Sequence, residues 1–169
     1  MFEEINKIES PIFKTFGSRI VNVTEDKECP NYYGCTFQLG SQQIKFRKAK
    51  STPKKIGQFV TLWKRAPNGR TVPYDLDDDF DFYIILSEYG HQCGFFVFPK
   101  EILARMGILT SDVRKGKRGF RLYPEWNVPV NSQSLRTKKW QKEYFIEIDN
   151  EEKTIEKLQK IFTPIFSHI

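Results

Sequence analysis

The chain has 169 residues with 27 basic and 21 acidic side chains, a formal net charge of +6 and an isoelectric point near 9.2. That length suits one domain with one substantial core, and an excess of positive charge this small attracts polyanions only where it is clustered. Three cysteines at irregular spacing, Cys29, Cys35 and Cys93, argue against a disulfide framework and suit a reducing compartment.

The opening "MFEEINKIES" carries Glu3, Glu4 and Glu9 and lacks the basic and long apolar regions of an export signal. No apolar run approaches the roughly 18 residues that span a bilayer, so the expectation is a soluble, cytoplasmic protein with no membrane partner. Ser10 followed by Pro11 predicts a short helix that stops at Gly17, since serine caps well and proline fits a first turn. Next, "YYGCTFQL" and "QQIKFRK" flank Gly40-Ser41, which predicts a hairpin with a type II′ turn. That turn sets Phe37 opposite Ile44 and Cys35 opposite Phe46 on an apolar face. Thr36 then falls opposite Lys45 and Gly34 opposite Arg47 on a basic face.

After Thr52-Pro53, "GQFVTLW" reads as a third strand, followed by a turn at "APNGR". The near-continuous apolar runs in "FDFYIILSEY" and "QCGFFVF" predict two longer strands buried on both faces at the sheet centre. Pro99, with Ile102, Leu103 and Met106 on one side and Gly107 past the end, predicts a short helix. "GFRLYP" is a further strand. A helix beginning near Ser134 is predicted to put Leu135, Trp140, Tyr144 and Ile148 on one stripe, and a last amphipathic segment carries Ile155, Leu158, Ile161 and Phe162. The order of elements implies one α+β domain over 1–169, with a mixed, mainly antiparallel central sheet flanked by helices.

The charge is not scattered. Lys45, Arg47, Lys48, Lys50, Lys54, Lys55, Lys64, Arg65 and Arg70 follow one another without an acid between them. A second basic zone, from Arg114 to Lys142, includes Lys115, Lys117, Arg118, Arg121, Arg136, Lys138 and Lys139, opposed by Glu125 and otherwise free of acid up to Lys142. Runs of lysine are commonly solvated faces. Here they alternate with Phe46, Trp63, Tyr123 and Trp126 and with Ser51, Thr52, Gly57 and Gln58, so a groove offers phosphate contacts, hydroxyls and stacking faces together. Gly116-Lys117-Arg118-Gly119 has the make-up of a flexible backbone clamp.

The acid concentrates in "DLDDDFD", residues 75–81. Its spacing lacks the glycine and terminal glutamate of an EF-hand, so it reads first as a polar turn, with Asp81 the weak candidate for a Mg²⁺ ligand. A carboxylate between Phe80 and Phe82 needs a partner, and a base from the 45–65 region is expected to supply it. His91-x-Cys93 is the one metal-like spacing, without a second ligand pair to complete a tetrahedron.

The segments "FRKAKSTPKKIGQFVTLWKR", "PYDLDDDFDFYII", "GFFVFPKEIL", "RLYPEW" and "WQKEYF" together resemble the MepB family over a core of about residues 28–148. The resemblance implies a bacterial cytoplasmic protein, in some relatives encoded beside a multidrug efflux pump and its repressor, from a family of obscure function. It also implies a restriction-endonuclease-like fold. Nucleases of that group place two carboxylates on Mg²⁺ and use a lysine to help activate water. The nearest match is Pro30-Asn31 followed by Gln43-Ile44-Lys45, where both acids are amides and therefore weak, uncharged ligands for a hard dication.

The leading expectation is a non-catalytic nucleic-acid-binding protein, with DNA the first partner to test, little base preference and no cofactor. Its contact residues are Lys45, Arg47, Lys50, Thr52, Lys54, Gln58, Lys64, Arg65 and Arg118. One alternative is a Mg²⁺-dependent nuclease using Asp81 and Glu88, although seven residues of regular strand separate them by roughly 23 Å. The other is a protein-interaction module whose basic face meets an acidic partner, anchored by Trp63 or Trp126.

Overall fold

The computed structural model describes residues 2–166, the side chains of 163–166 excepted. In chain order the elements are α1 (Phe2–Phe16), β1 (Ile20–Glu25), β2 (Cys35–Leu39), β3 (Gln42–Lys48), β4 (Lys50–Thr52), β5 (Lys55–Thr61), β6 (Trp63–Arg65) and β7 (Thr71–Pro73). They continue with β8 (Phe82–Tyr89), β9 (Gln92–Pro99), α2 (Lys100–Arg105), β10 (Gly119–Leu122), α3 (Ser132–Gln141), β11 (Phe145–Glu147) and α4 (Glu151–Phe166). Six strands form the main sheet in the order β1-β2-β3-β8-β9-β11, in which only β3 and β8 run parallel. The fold is thus α+β, with a mixed, mainly antiparallel sheet between helices.

Parallel neighbours need a long crossover. Here residues 49–81 provide it; they carry β4 and β5, which β10 joins in a second sheet of order β10-β5-β4, and the two-stranded β6-β7 sheet. The β2–β3 hairpin has the expected register: Phe37 pairs with Ile44, Cys35 with Phe46 and Thr36 with Lys45. Gly40 has φ +59, which a type II′ turn requires at its first central position.

Strand alternation divides the apolar runs between two cores. Phe82, Ile84 and Leu86 of β8, with Phe95 and Val97 of β9, meet Ile5, Ile8 and Ile12 of α1 and Leu158 and Phe162 of α4. Tyr83 and Ile85, with Phe96 and Phe98, face the opposite side against Ile102 and Leu103 of α2 and Val60, Phe120 and Leu122 of the second sheet. Each large apolar side chain so buried contributes about 1.5–3 kcal/mol. Burial on both faces explains why β8 and β9 lack polar alternation.

Several expectations are corrected. The first helix starts at Phe2, not Ser10, and holds Pro11 in its interior. Glu3 and Glu4 suit the positive end of its dipole, and Ile5, Ile8 and Ile12 form a buried stripe whose packing outweighs the proline's missing N–H. The helix after Ser132 ends at Gln141, so Tyr144 lies in a 3-10 turn and Ile148 beyond β11. Phe145 and Ile146 alternate into opposite cores, which demands a strand. "GQFVTLW" is split: β5 ends at Thr61, Leu62 is buried, and Trp63 opens β6.

Candidate functional site

Four cations of the first basic run, Arg47, Lys48, Lys64 and Arg65, are paired with acids from outside that run. Arg47 was expected on a basic open face, yet it is 2% exposed. Its guanidinium donates to Asp26 Oδ2 at 2.7 Å, to Thr61 O at 3.0 Å and to Thr61 Oγ1 at 2.9 Å. An arginine so enclosed ties β3 to the Asp26 loop and to β5 and cannot reach a phosphate. Gln58, also expected at the interface, is buried and donates to Glu88 O at 2.9 Å.

Lys64 Nζ sits 2.8 Å from Asp75 Oδ2 and 2.7 Å from Asp78 Oδ2. Partial burial works to lower its pKa, and the hydrogen bonds to Asp75 and Asp78 outweigh it and raise the value. Arg65 pairs with Glu28 at 2.7 Å, and that hydrogen bond raises the arginine and lowers the glutamate. Lys48 lies 2.7 Å from Glu88, which also accepts from Lys7 at 2.5 Å. Lys45 and Lys50 instead lie 4.4 Å over the Tyr74 ring and 4.8 Å over the Tyr32 ring.

A cleft of about 660 Å³ opens between the β10-β5-β4 sheet and α3. Its cations are Lys54, Lys55, Lys117 and Arg121, and no carboxylate lines it. Among the described residues none of these four takes part in an ion pair. Lys54, Lys55 and Lys117 are exposed, and Phe59, Phe120, Tyr123 and Trp140 supply aromatic surface. Asn131, Gln133 and Thr137 add amides and a hydroxyl from α3 and its approach.

Local chemistry fixes this geometry. Asn131 caps α3 by accepting from Ser134 N at 2.8 Å. Gln141, wholly buried, accepts from Tyr123 N and donates to Arg121 O, both at 2.9 Å, and so fastens the end of α3 to β10. Arg121 Nη2 donates to Thr52 Oγ1 at 2.5 Å, which makes Thr52 a brace for the arginine, while Arg121 Nε is buried without a hydrogen-bond partner. Gly57 adopts φ +93, and a Cβ there would stand 2.7 Å from Leu122 O and 2.9 Å from the Tyr123 ring.

A second hollow, of about 380 Å³, is lined by Thr71, Pro73, Lys115, Gly116, Lys117 and Arg118. Lys117 belongs to both, so the positive surface continues from one to the other. Arg118 donates to Thr71 Oγ1 at 3.2 Å and its backbone oxygen accepts from Leu62 N, which anchors the Gly116–Gly119 segment. Of the nine residues expected to make contact, Lys54 lines the cleft and Arg118 the adjoining hollow. Lys55, Lys117, Arg121 and the aromatic wall were not among them. The signal available for these was the acid-free stretch from Arg114 to Arg121, which the fold sets against the Lys54–Lys55 turn.

Among the described residues Asp81 has no basic partner. Its Oδ2 accepts from Gln43 N at 2.7 Å and its backbone N–H donates to Gln43 O, continuing the β3–β8 pairing beyond the strand. Glu88 is held by lysines as described, and among the described residues no group of three or more His, Cys, Asp or Glu side chains is arranged to hold a metal ion. Cys29 and Cys35 are buried and Cys93 half-buried, all as free thiols. Burial pushes the Cys35 thiol up to about 12, which makes it a poor nucleophile. No described helix is long and apolar enough to cross a membrane.

No curated protein matches this chain. Among solved structures, the crystal structure of MepB is similar over 85% of this chain and 98% of its own, with a TM-score of 0.76 and 34% identity. A bacterial homing endonuclease, I-Ssp6803I, aligns over 79% of this chain and 81% of its own with a TM-score of 0.44 and 16% identity, too distant to bear on activity. The family model described as MepB-like matches residues 26–147, which contain the cleft's sheet and all of α3, and the chain belongs to that family.

Proposed function

We propose that this protein binds nucleic acid through the cleft between β5, β10 and α3, without cutting it. The observation that carries the reading is a concave surface with four cations, no carboxylate, and continuity through Lys117 into a second basic hollow. A polyanion gains from such a surface by releasing counterions, and charges already paired with carboxylates contribute little to that release. The contact set is therefore Lys54, Lys55, Lys117 and Arg121, extended by Lys115 and Arg118, in place of Arg47, Gln58, Lys64 and Arg65. Base preference is weak, because no described strand or helix carries a recognised base-reading motif. The cytoplasm, where nucleic acid is at hand, is the compartment this reading requires.

The test is binding to labelled DNA and RNA, single- and double-stranded, across a salt series, with EDTA and Mg²⁺ arms. Affinity that falls linearly in log salt, with the probe intact in Mg²⁺, supports the reading. Absence of binding at low salt, with capture of an acidic protein in its place, moves the cleft to a protein partner. Cleavage in Mg²⁺ would replace the binder with a nuclease.

A further inference from the structure

A duplex meets a protein with phosphates on a convex rod about 20 Å across, so it wants an open, shallow, positive face. This cleft is built differently. Its charge stands at the rim on exposed Lys54, Lys55 and Lys117, while Phe59 and Trp140 lie half-buried within it. Trp140 is backed by Phe98 at 5.4 Å between ring centroids, and Gln141 locks its helix to β10, so the aromatic wall is held in place before any ligand arrives. The volume of about 660 Å³ lies in the range of pockets that enclose a small organic group.

Resting on the nucleic-acid reading above, we infer that the ligand is single-stranded and that the cleft takes one unstacked base between Phe59 and Trp140 while its flanking phosphates lie on Lys54, Lys55 and Lys117. Aromatic stacking tolerates every base, since each has a π-face, and needs no reading of base edges. Asn131 and Gln133 also line the cleft and supply amides for the edge of such a base. Lys117 then holds the phosphate that leads the strand into the second hollow, beside Lys115 and Arg118.

The test compares three labelled probes of about twelve nucleotides at one salt concentration: a single strand, its duplex, and the same strand with abasic residues throughout. The abasic strand keeps the phosphates and removes the stacking partner. The expected result is that the base-bearing strand binds about tenfold more tightly than the abasic strand, and more tightly than the duplex. With Trp63→Phe and Trp126→Phe in place, the remaining Trp140 emission should be quenched by the base-bearing strand alone. Equal affinity for the base-bearing and abasic strands, or a preference for the duplex, overturns the base pocket and leaves nucleic-acid binding standing. A free mononucleotide that saturates the protein as tightly as the strand overturns the strand assignment. No binding by any probe overturns both this inference and the function beneath it.

Discussion

Lys64 lies in β6 of the two-stranded sheet, and Lys117 just before β10 of the three-stranded one. Lys64 lies within 2.8 Å of two carboxylates, whereas Lys117 faces two hollows without one. The region from Lys45 to Arg70 has no acid in its own sequence, yet Asp26, Glu28, Asp75, Asp78 and Glu88 reach in from elsewhere and occupy Arg47, Lys48, Lys64 and Arg65, while its Lys54–Lys55 turn lies in the acid-free cleft. Among the described residues, the region around Arg114 to Arg121 receives backbone carbonyls and hydroxyls and no carboxylate. A run of lysine in a sequence therefore says where charge is made; the fold decides where it is left over.

The comparison can be broken most severely at Arg47. Arg47→Met should destabilise the protein by about 3 kcal/mol, because it removes a buried cation on which Asp26 and Thr61 depend, and denaturant unfolding measures it. A loss under about 1 kcal/mol would mean that Arg47 is not structural. Next in size, Lys54→Ala, Lys55→Ala and Lys117→Ala together should weaken nucleic-acid binding by about tenfold to a hundredfold and reduce the salt slope for a single strand by roughly two, with stability unchanged. A salt titration reads both quantities.

A smaller effect sharpens the view of the neutralised region by pH. Burial works to raise the Glu88 carboxyl, and hydrogen bonds from Lys48 and Lys7 outweigh it and hold the value below 4.5. A lowered folded value means that Glu88 contributes its full stability above pH 4.5 and loses it as the pH falls through that lowered value. Unfolding free energies measured by denaturant stepwise below that pH should decline by about 1 kcal/mol more in the natural protein than in Glu88→Gln. The smallest effect is expected for Lys64→Ala with Arg65→Ala, which should alter affinity by less than about twofold, since both cations are already paired. A loss as large as that of the cleft triple would move the binding surface to the Lys64–Arg65 strand.

Much of the fold was legible because its signals are local. The Gly40-Ser41 turn fixes the β2–β3 register, and continuous apolar runs mark β8 and β9 as doubly buried. What escaped is what depends on distant partners. α1 continues through Pro11 because its isoleucine stripe is buried against the sheet, and β11 exists because Phe145 and Ile146 are needed in opposite cores. The site was half legible for the same reason: Lys54 and Arg118 were visible as exposed basic turns, but the loss of Arg47 and Gln58 to the interior needed Asp26, Thr61 and Glu88 to be placed first.

The missing side chain at Gly57 has an evolutionary reach. Any Cβ there would press on Leu122 O and the Tyr123 ring, so the strand pair beneath the cleft cannot be widened by substitution at that point. Gly119 imposes the same limit from the opposite strand, where a Cβ would meet the Phe59 ring at 2.6 Å. The floor is thereby closed to gradual change. A descendant of this protein that came to accept a different ligand has more room at exposed Val113 in the loop before β10 and at Val128 and Val130 on the approach to α3.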